Sequence, residues 1–252
     1  MNQERRNQII EMLRENRIVK NSELMDRFGI SIETVRRDLQ YLEEQGYLER
    51  VYGGAVKKTF INAEPAYAER EHDNYAQKLV IAHAAQTFLH PKDTVFFDLG
   101  TTVMLMAKLI ADDYPITAFT NALRTAQVLS DKSGCDVIIP GGKLRGKELA
   151  VSGSLAEETM RQFNLDKVFI GVAGITEDGI TDFNIEEAGL RRQVIRNARQ
   201  VIVLADSSKF GIRAVSNICP VSDIDILITD SGAPTNLLSR LEKSGVRIVI
   251  AE

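Results

Sequence analysis

The chain has 252 residues, 44% hydrophobic and 26% charged, with a formal net charge of −4, so no global basic field draws it to nucleic acid. No apolar run approaches a membrane span, and Met1 to Arg6 leads into an amphipathic helix rather than an apolar leader. A soluble, cytoplasmic protein of one large domain or two is expected, with no membrane partner.

Helix one runs from Gln3 to Asn16, with Ile9, Ile10 and Leu13 inside. Helix two turns Leu24, Met25 and Phe28 inward and ends at Gly29. A three-residue turn follows, and the Ser31 hydroxyl can cap a third helix. This order is that of a helix-turn-helix, whose second helix enters the DNA major groove. At about 100° per residue, Ile32, Val35, Leu39 and Leu42 of the third helix share one apolar stripe. Arg37 points away from that stripe, flanked by Glu33, Thr34, Gln40 and Tyr41, and Arg36 sits at its edge. A guanidinium so placed can bond guanine O6 and N7 together, which makes Arg37 the candidate for a base edge and Arg36 for phosphate. The competing reading is a solvated charged face carrying Glu33, Arg36, Arg37, Asp38 and Glu43. Basic and acidic residues balance over 1–57, so DNA binding requires the basic groups on one face and two copies acting together.

Gly46 can end the third helix. Leu48 to Arg50 and Ala55 to Lys57 then read as two strands of a hairpin around Val51-Tyr52-Gly53-Gly54, a wing whose small tip lets backbone approach phosphate. Arg5-Arg6, the run Ser31 to Leu39 with its Thr34-Val35-Arg36-Arg37-Asp38-Leu39 core, and Val51-Tyr52-Gly53-Gly54-Ala55 together carry a resemblance. Residues 1–57 resemble the winged helix-turn-helix DNA-binding domain of the DeoR family of bacterial sugar-catabolism regulators. On this reading Ser31, Glu33, Thr34, Arg36, Arg37, Gln40, Tyr52 and Gly53 face DNA.

Residues 58–73 have mixed charge, Pro65 and no periodicity, and read as an interdomain linker. From Asn74 onward helices and strands alternate, which predicts a mostly parallel sheet covered on both faces over residues 74–252. Strands are expected at Thr94 to Leu99, Ile116 to Phe119, Val137 to Ile139, Val168 to Gly171, Val201 to Ala205, Ile226 to Thr229 and Arg247 to Ile250. Helices are expected at Val103 to Ile110, Ser154 to Phe163 with a Ser154–Glu157 capping box, Glu186 to Ala198 and Thr235 to Ser244. His72, His83 and His90 lack a partner histidine at ligand spacing, and Cys135 and Cys219 lie beside apolar runs as buried free thiols. No metal, cofactor or disulfide is expected.

Ligands of such sheets bind at the carboxyl ends of the strands. Those ends carry Asp98-Leu99-Gly100-Thr101-Thr102, Thr120-Asn121, Gly141-Gly142 with Lys143 and Arg145, Asp182, Glu186-Glu187, and Asp206 to Gly211 with Lys209. Hydroxyls, a helix N-terminus and cations suit a phosphate, and carboxylates and amides suit sugar hydroxyls. The effector-site candidates are Asp98, Gly100, Thr101, Thr102, Thr120, Asn121, Gly141, Gly142, Arg145, Asp182, Glu187 and Lys209. Asp98 to Thr102, Thr120-Asn121, Gly141-Gly142, Asp178-Gly179 and Asp206 to Gly211 extend the resemblance over residues 76–230. They resemble the DeoR effector domain, which is related in fold to ribose 5-phosphate isomerase and glucosamine 6-phosphate deaminase. The resemblance implies sensing of a phosphorylated sugar or sugar alcohol, and assembly.

A rival reading is an active sugar-phosphate isomerase with a DNA-binding appendage. Enediol chemistry needs a positioned carboxylate. Where the isomerases carry an Asp-Gly-Ala-Asp-type segment, this chain has Gly171-Val172-Ala173-Gly174, and Arg192 stands in place of the later glutamate. The expectation is a non-enzymatic, ligand-responsive repressor of a sugar or polyol operon, acting on double-stranded operator DNA as a dimer or tetramer.

Overall fold

A computed structural model describes residues 2–16, 18–44, 47–57 and 64–252. The chain divides into two compact units, Met1–Ile61 and Asn62–Glu252, each with its own core.

The first unit runs α1 (Asn2–Asn16), β1 (Ile18–Lys20), α2 (Asn21–Phe28), α3 (Ile32–Glu44), β2 (Leu48–Val51) and β3 (Gly54–Lys57). Ile9, Leu13, Leu24, Val35, Leu39 and Leu42 are buried together, with Ile32 half-buried at the end of the stripe. Gly29 ends α2 at φ 60°, and Ser31 receives the Thr34 amide at 3.4 Å, so both turn signals operate. Gly46, expected to end α3, lies outside the described residues. The wing is an antiparallel hairpin with Tyr52–Gly53 at its turn. Periodicity had missed β1, three residues that pair with β3 and complete a three-stranded sheet. This pairing gives Gly54 a different reason from the one expected. A Cβ there would sit 2.0 Å from the Val19 carbonyl oxygen, so strand contact, not phosphate approach, requires the glycine.

The second unit begins with α4 (Tyr67–His72) and α5 (Tyr75–Gln86). It continues through β4 (Thr94–Phe97), α6 (Thr101–Leu109), β5 (Ile116–Thr120), α7 (Leu123–Ser130) and β6 (Cys135–Ile138). A hairpin of β7 (Lys143–Arg145) and β8 (Ala150–Ser152) precedes α8 (Ser154–Arg161). Then come β9 (Leu165–Gly171), β10 (Gly174–Thr176), β11 (Gly179–Asp182), α9 (Ile185–Arg196), β12 (Ala198–Leu204), β13 (Ser216–Pro220), β14 (Ile226–Asp230), α10 (Thr235–Lys243) and β15 (Arg247–Ala251). The seven expected strands form one sheet of order β15-β14-β12-β9-β4-β5-β6, every neighbouring pair parallel. Alternate side chains pack on opposite faces. Phe96, Val168, Ile170 and Val203 lie under α8 and α9, and Val95, Phe97, Phe169 and Ile202 lie under α5 and α6.

Two local expectations are corrected. Ser154 is already the first helical residue of α8, and Gly153 is the cap, with no side-chain cap bond. The Glu157 carboxylate instead abuts Gly189 of α9, where a Cβ would meet it at 2.4 Å. The stretch 58–73 is not a spacer throughout: from Glu64 it packs on the α/β unit, with Tyr67 buried among Leu99, Ala122 and Ala150. A mixed-charge run concealed this because the residues that tie it to the rest of the unit, Arg145 and Glu148, are remote in sequence.

Candidate functional site

In the winged-helix unit, architecture and reading surface use different charges. Asp38 looks like part of the solvated face in sequence, yet it is buried. It binds Arg5 Nε at 2.6 Å and Arg6 Nε at 2.8 Å, joining α1 to α3. Arg6 also lies over the Tyr41 ring, 3.8 Å from its centroid. Arg36 and Arg37 are exposed, and neither forms an ion pair among the described residues. Ser31, Glu33 and Gln40 share that exposure, Thr34 is half-buried, and Gln40 bonds Glu44 one turn on. A groove between α3 and the wing is lined by Arg36, Arg50, Tyr52 and Gly53. Arg50 is held to Glu43 at 2.6 Å, and Gly53 takes φ 84°, which favours glycine in the turn. Tyr52 at the tip is fully exposed.

In the α/β unit, the chain lays β5 and β6 on one side of β4, then returns to lay β9, β12, β14 and β15 on the other. The order therefore reverses between β4 and β9, and the crevice opens at their carboxyl ends. The two backbones nearly touch there: a Cβ on Gly171 would lie 3.4 Å from the Leu99 carbonyl oxygen. Asp98, fully buried, accepts the Gly171 amide at 3.2 Å and Arg191 Nε at 2.7 Å. Arg191 also binds Asp182 and, at 3.3 Å, the Leu99 carbonyl. Asp182 accepts the Phe183 and Asn184 amides as well, so its role is to hold Arg191. Asn121 accepts the Leu99 amide at 3.1 Å, and Thr120 accepts the Ala122 amide.

A second chain of charges joins this cluster. Arg145 reaches Glu187 Oε1 at 2.5 Å and also pairs with Glu64. Glu64 meets Arg70 at 3.0 Å, and Arg70 pairs with Glu148. The Glu187 contact is close but poorly directed, so neither carboxylate oxygen has a well-oriented donor. Within these two linked networks, Asp98 Oδ1, Asn121 Nδ2, both Glu187 oxygens and Arg145 Nε are buried without a hydrogen-bond partner. Burial pushes Glu187 up to about 7 against the pull of Arg191 and Arg145, and Asp98 up to about 6 against Arg191.

Thr101 and Thr102 open α6 with no side-chain cap, and the Thr101 hydroxyl donates to the Arg70 carbonyl at 3.3 Å. Lys209 lies in the turn after β12, half-buried and without an ion pair among the described residues. Its charge acts on Lys78 of α5, a buried ammonium that burial lowers to about 8 while Asp206 pulls it upward. Gly141 and Gly142 are not drawn into this network. They lie exposed before β7, and Gly142 is required by φ 151° and the Ser152 carbonyl. Cys219 is buried, Cys135 half-buried, and burial raises both thiols.

Sequence reasoning missed Arg191, Lys78, Arg70, Glu64 and Glu148. Arg191 was within reach: Glu187 and Arg191 are spaced i, i+4 among Ala188, Leu190 and Val194, which puts two charges on a buried helix face. Arg192, expected at the position of a catalytic glutamate, instead turns away and donates to the Asn217 carbonyl.

A winged helix joined to an α/β unit with a polar switch-point crevice defines a class: DNA-binding regulators that carry a small-molecule sensor. The chain belongs to the DeoR family. Residues 5–59 match the DeoR-like helix-turn-helix domain and residues 73–231 the DeoR C terminal sensor domain. The transcriptional repressor GlcR of Bacillus subtilis is 34% identical over 97% of this chain and 94% of its own. The regulator GlpR of Haloferax volcanii is 34% identical over 98% and 96%. Among solved structures, ribose 5-phosphate isomerase A of Methanocaldococcus jannaschii aligns over 55% of each chain, at TM-score 0.40 and 15% identity. The protein is thus a DNA-binding transcriptional repressor of the DeoR type with a C-terminal sensor domain. No helix among the described residues is long and apolar enough to cross a membrane.

Proposed function

We propose that the protein represses a sugar or polyol catabolic operon and leaves its operator when a phosphorylated sugar or sugar alcohol binds the β4/β9 crevice. The carrying observation is the set of buried, unpartnered polar atoms on Asp98, Asn121, Glu187 and Arg145. A mixture of donors and acceptors with no internal partner suits a polyhydroxy ligand, since buried polar groups are otherwise satisfied. The uncapped N-terminus of α6 with Thr101 and Thr102 supplies amides for a phosphate, and Lys209 a cation. Arg37 of α3 reads a base edge, and Arg36, Tyr52 and Gly53 hold phosphate along the groove. A symmetric or repeated operator requires two copies, so residues 74–252 also assemble the protein as a dimer or tetramer.

Thermal unfolding against a panel of sugar and polyol phosphates tests this. A ligand of the folded state at 100 times its Kd adds about 2.7 kcal/mol. The stabilising compound should also release operator DNA in a mobility-shift titration. A panel in which only unphosphorylated sugars stabilise the chain would overturn the phosphate.

A further inference from the structure

Two donors of the crevice point at one acceptor, and that acceptor belongs to the chain itself. The carbonyl oxygen of Arg70, in α4, receives both the buried Lys78 ammonium and the Thr101 hydroxyl. An ammonium and a threonine hydroxyl at a helix N-terminus are the donors a phosphate oxygen would take. The rest of α4 is clamped at the same place. Tyr67 fills the space among Leu99, Ala122 and Ala150 at the strand ends, and the Arg70 guanidinium pairs with Glu64 and Glu148. A six-residue helix has little stability of its own, so these contacts are what keep α4 ordered.

We propose that α4 is a displaceable plug: the Arg70 carbonyl holds the place of the effector's phosphate on Lys78 and Thr101, and the two compete for those donors. Lys78 is then a residue that recognises the phosphate, beside Lys209. The buried ammonium cannot be left without an acceptor, so one of the two oxygens must occupy it. The consequence reaches DNA through the chain itself. In sequence α4 follows the winged helix, so an anchored α4 fixes where the connection leaves the α/β unit, and a displaced α4 frees it. An effector that binds only the displaced form shifts the population toward it. This rests on the sugar-phosphate reading of the crevice.

The test uses the full chain, with inorganic phosphate and then the stabilising compound of the panel as probes. Hydrogen exchange and calorimetry are measured on the parent, Tyr67→Ala and Arg70→Ala chains. Bound phosphate should speed exchange of the amides of residues 67–73 while slowing those of 98–104. Both variants loosen the plug, so each should bind the probe about tenfold more tightly, because less of the population is blocked. If one variant fails to fold, by circular dichroism, the other carries the comparison. Binding with unchanged protection of 67–73 and no gain in either variant would overturn the plug and leave the crevice standing. No binding of phosphate or of any sugar phosphate to any of these chains would overturn both.

Discussion

The two units use charge in opposite ways. In the winged helix the buried charge is complete: Asp38 has two arginines, while Arg36 and Arg37, without an ion pair among the described residues, are on the surface. In the α/β unit the free groups are inside: Asp98, Asn121, Glu187 and Arg145 keep unpartnered atoms beneath the strand ends. A surface that reads DNA can leave its charges in water until they meet phosphate. A crevice that recognises a small ligand must hold its polar groups dry and in place beforehand, at a standing cost in stability. The winged helix should therefore tolerate loss of its functional residues, and the α/β unit should be sensitive at its site.

The largest effect expected from this contrast is at Arg191. Arg191→Ala leaves Asp98 and Asp182 buried without their cation, and removing one partner of a buried pair costs about 3–5 kcal/mol. Hydrogen exchange should show residues 64–252 opening while α1 to α3 keep their protection. Asp38→Ala, in the other unit, takes a carboxylate partner from Arg5 and Arg6, which lie near enough to water to rehydrate, so about 2 kcal/mol is expected and confined to residues 2–57. Equal losses from the two substitutions would remove the contrast.

The pH response is next. Glu187 stands at about 7 in the folded chain against an ordinary 4.5, raised chiefly by burial. The folded state therefore binds the proton more tightly than the unfolded state does. This carboxyl's contribution to stability is fully present below about pH 4.5 and is lost as pH rises through 7. Glu187→Gln removes that dependence. Its melting temperature should exceed the parent's at pH 8 and converge with it near pH 5. A variant that melts below the parent at pH 8 would show that the Arg145 contact outweighs the burial of the charge.

How much of this was legible differs between the units for the same physical reason. The winged helix is local: its turn, cap and stripe lie within some 40 residues, and period 3.6 places Arg37 outward without any tertiary knowledge. The seven strands were legible as apolar runs, and their alternation with helices gave the parallel sheet. Strand ends then pointed to Asp98, Thr101, Asn121 and Lys209. The pairing was not legible, because Arg70 and Glu148 are 78 residues apart and Glu64 and Arg145 81, so they meet only once the chain has folded. The same blindness made α4 read as linker and hid the burial of Asp38, which only the competing reading of a solvated face had mentioned, since no local pattern reports a remote partner.

A smaller effect separates sensing from reading. Thr102→Ala or Lys209→Ala removes one group that the effector's phosphate would engage, at about 1.5–3 kcal/mol for a charge-assisted bond. Effector affinity should fall about tenfold or more, with operator affinity unchanged in the absence of effector. The variants would then hold operator at effector concentrations that release the parent, which a titrated mobility-shift assay reads. Release at the parent's concentration would place the phosphate elsewhere in the crevice.

The smallest effect on the fold, and the one that defines the reading surface, belongs to Arg37. Its side chain is exposed and opposite the buried stripe of Val35, Leu39 and Leu42, so Arg37→Ala should change the melting temperature little. A bidentate guanidinium on guanine distinguishes that base by about 1–3 kcal/mol, so specific affinity should drop by that amount per half-site. Arg36 faces the groove it shares with Tyr52 and Gly53, where a phosphate rather than a base edge would lie. Arg36→Ala should therefore weaken operator and unrelated DNA alike and lower the slope of affinity against salt by about 1. The pair of titrations, each at two salt concentrations, tells the roles apart. If Arg36→Ala relaxes sequence preference and Arg37→Ala only lowers the salt slope, the assignments are exchanged, and α3 must lie in the groove rotated about its axis from the placement its apolar stripe implies.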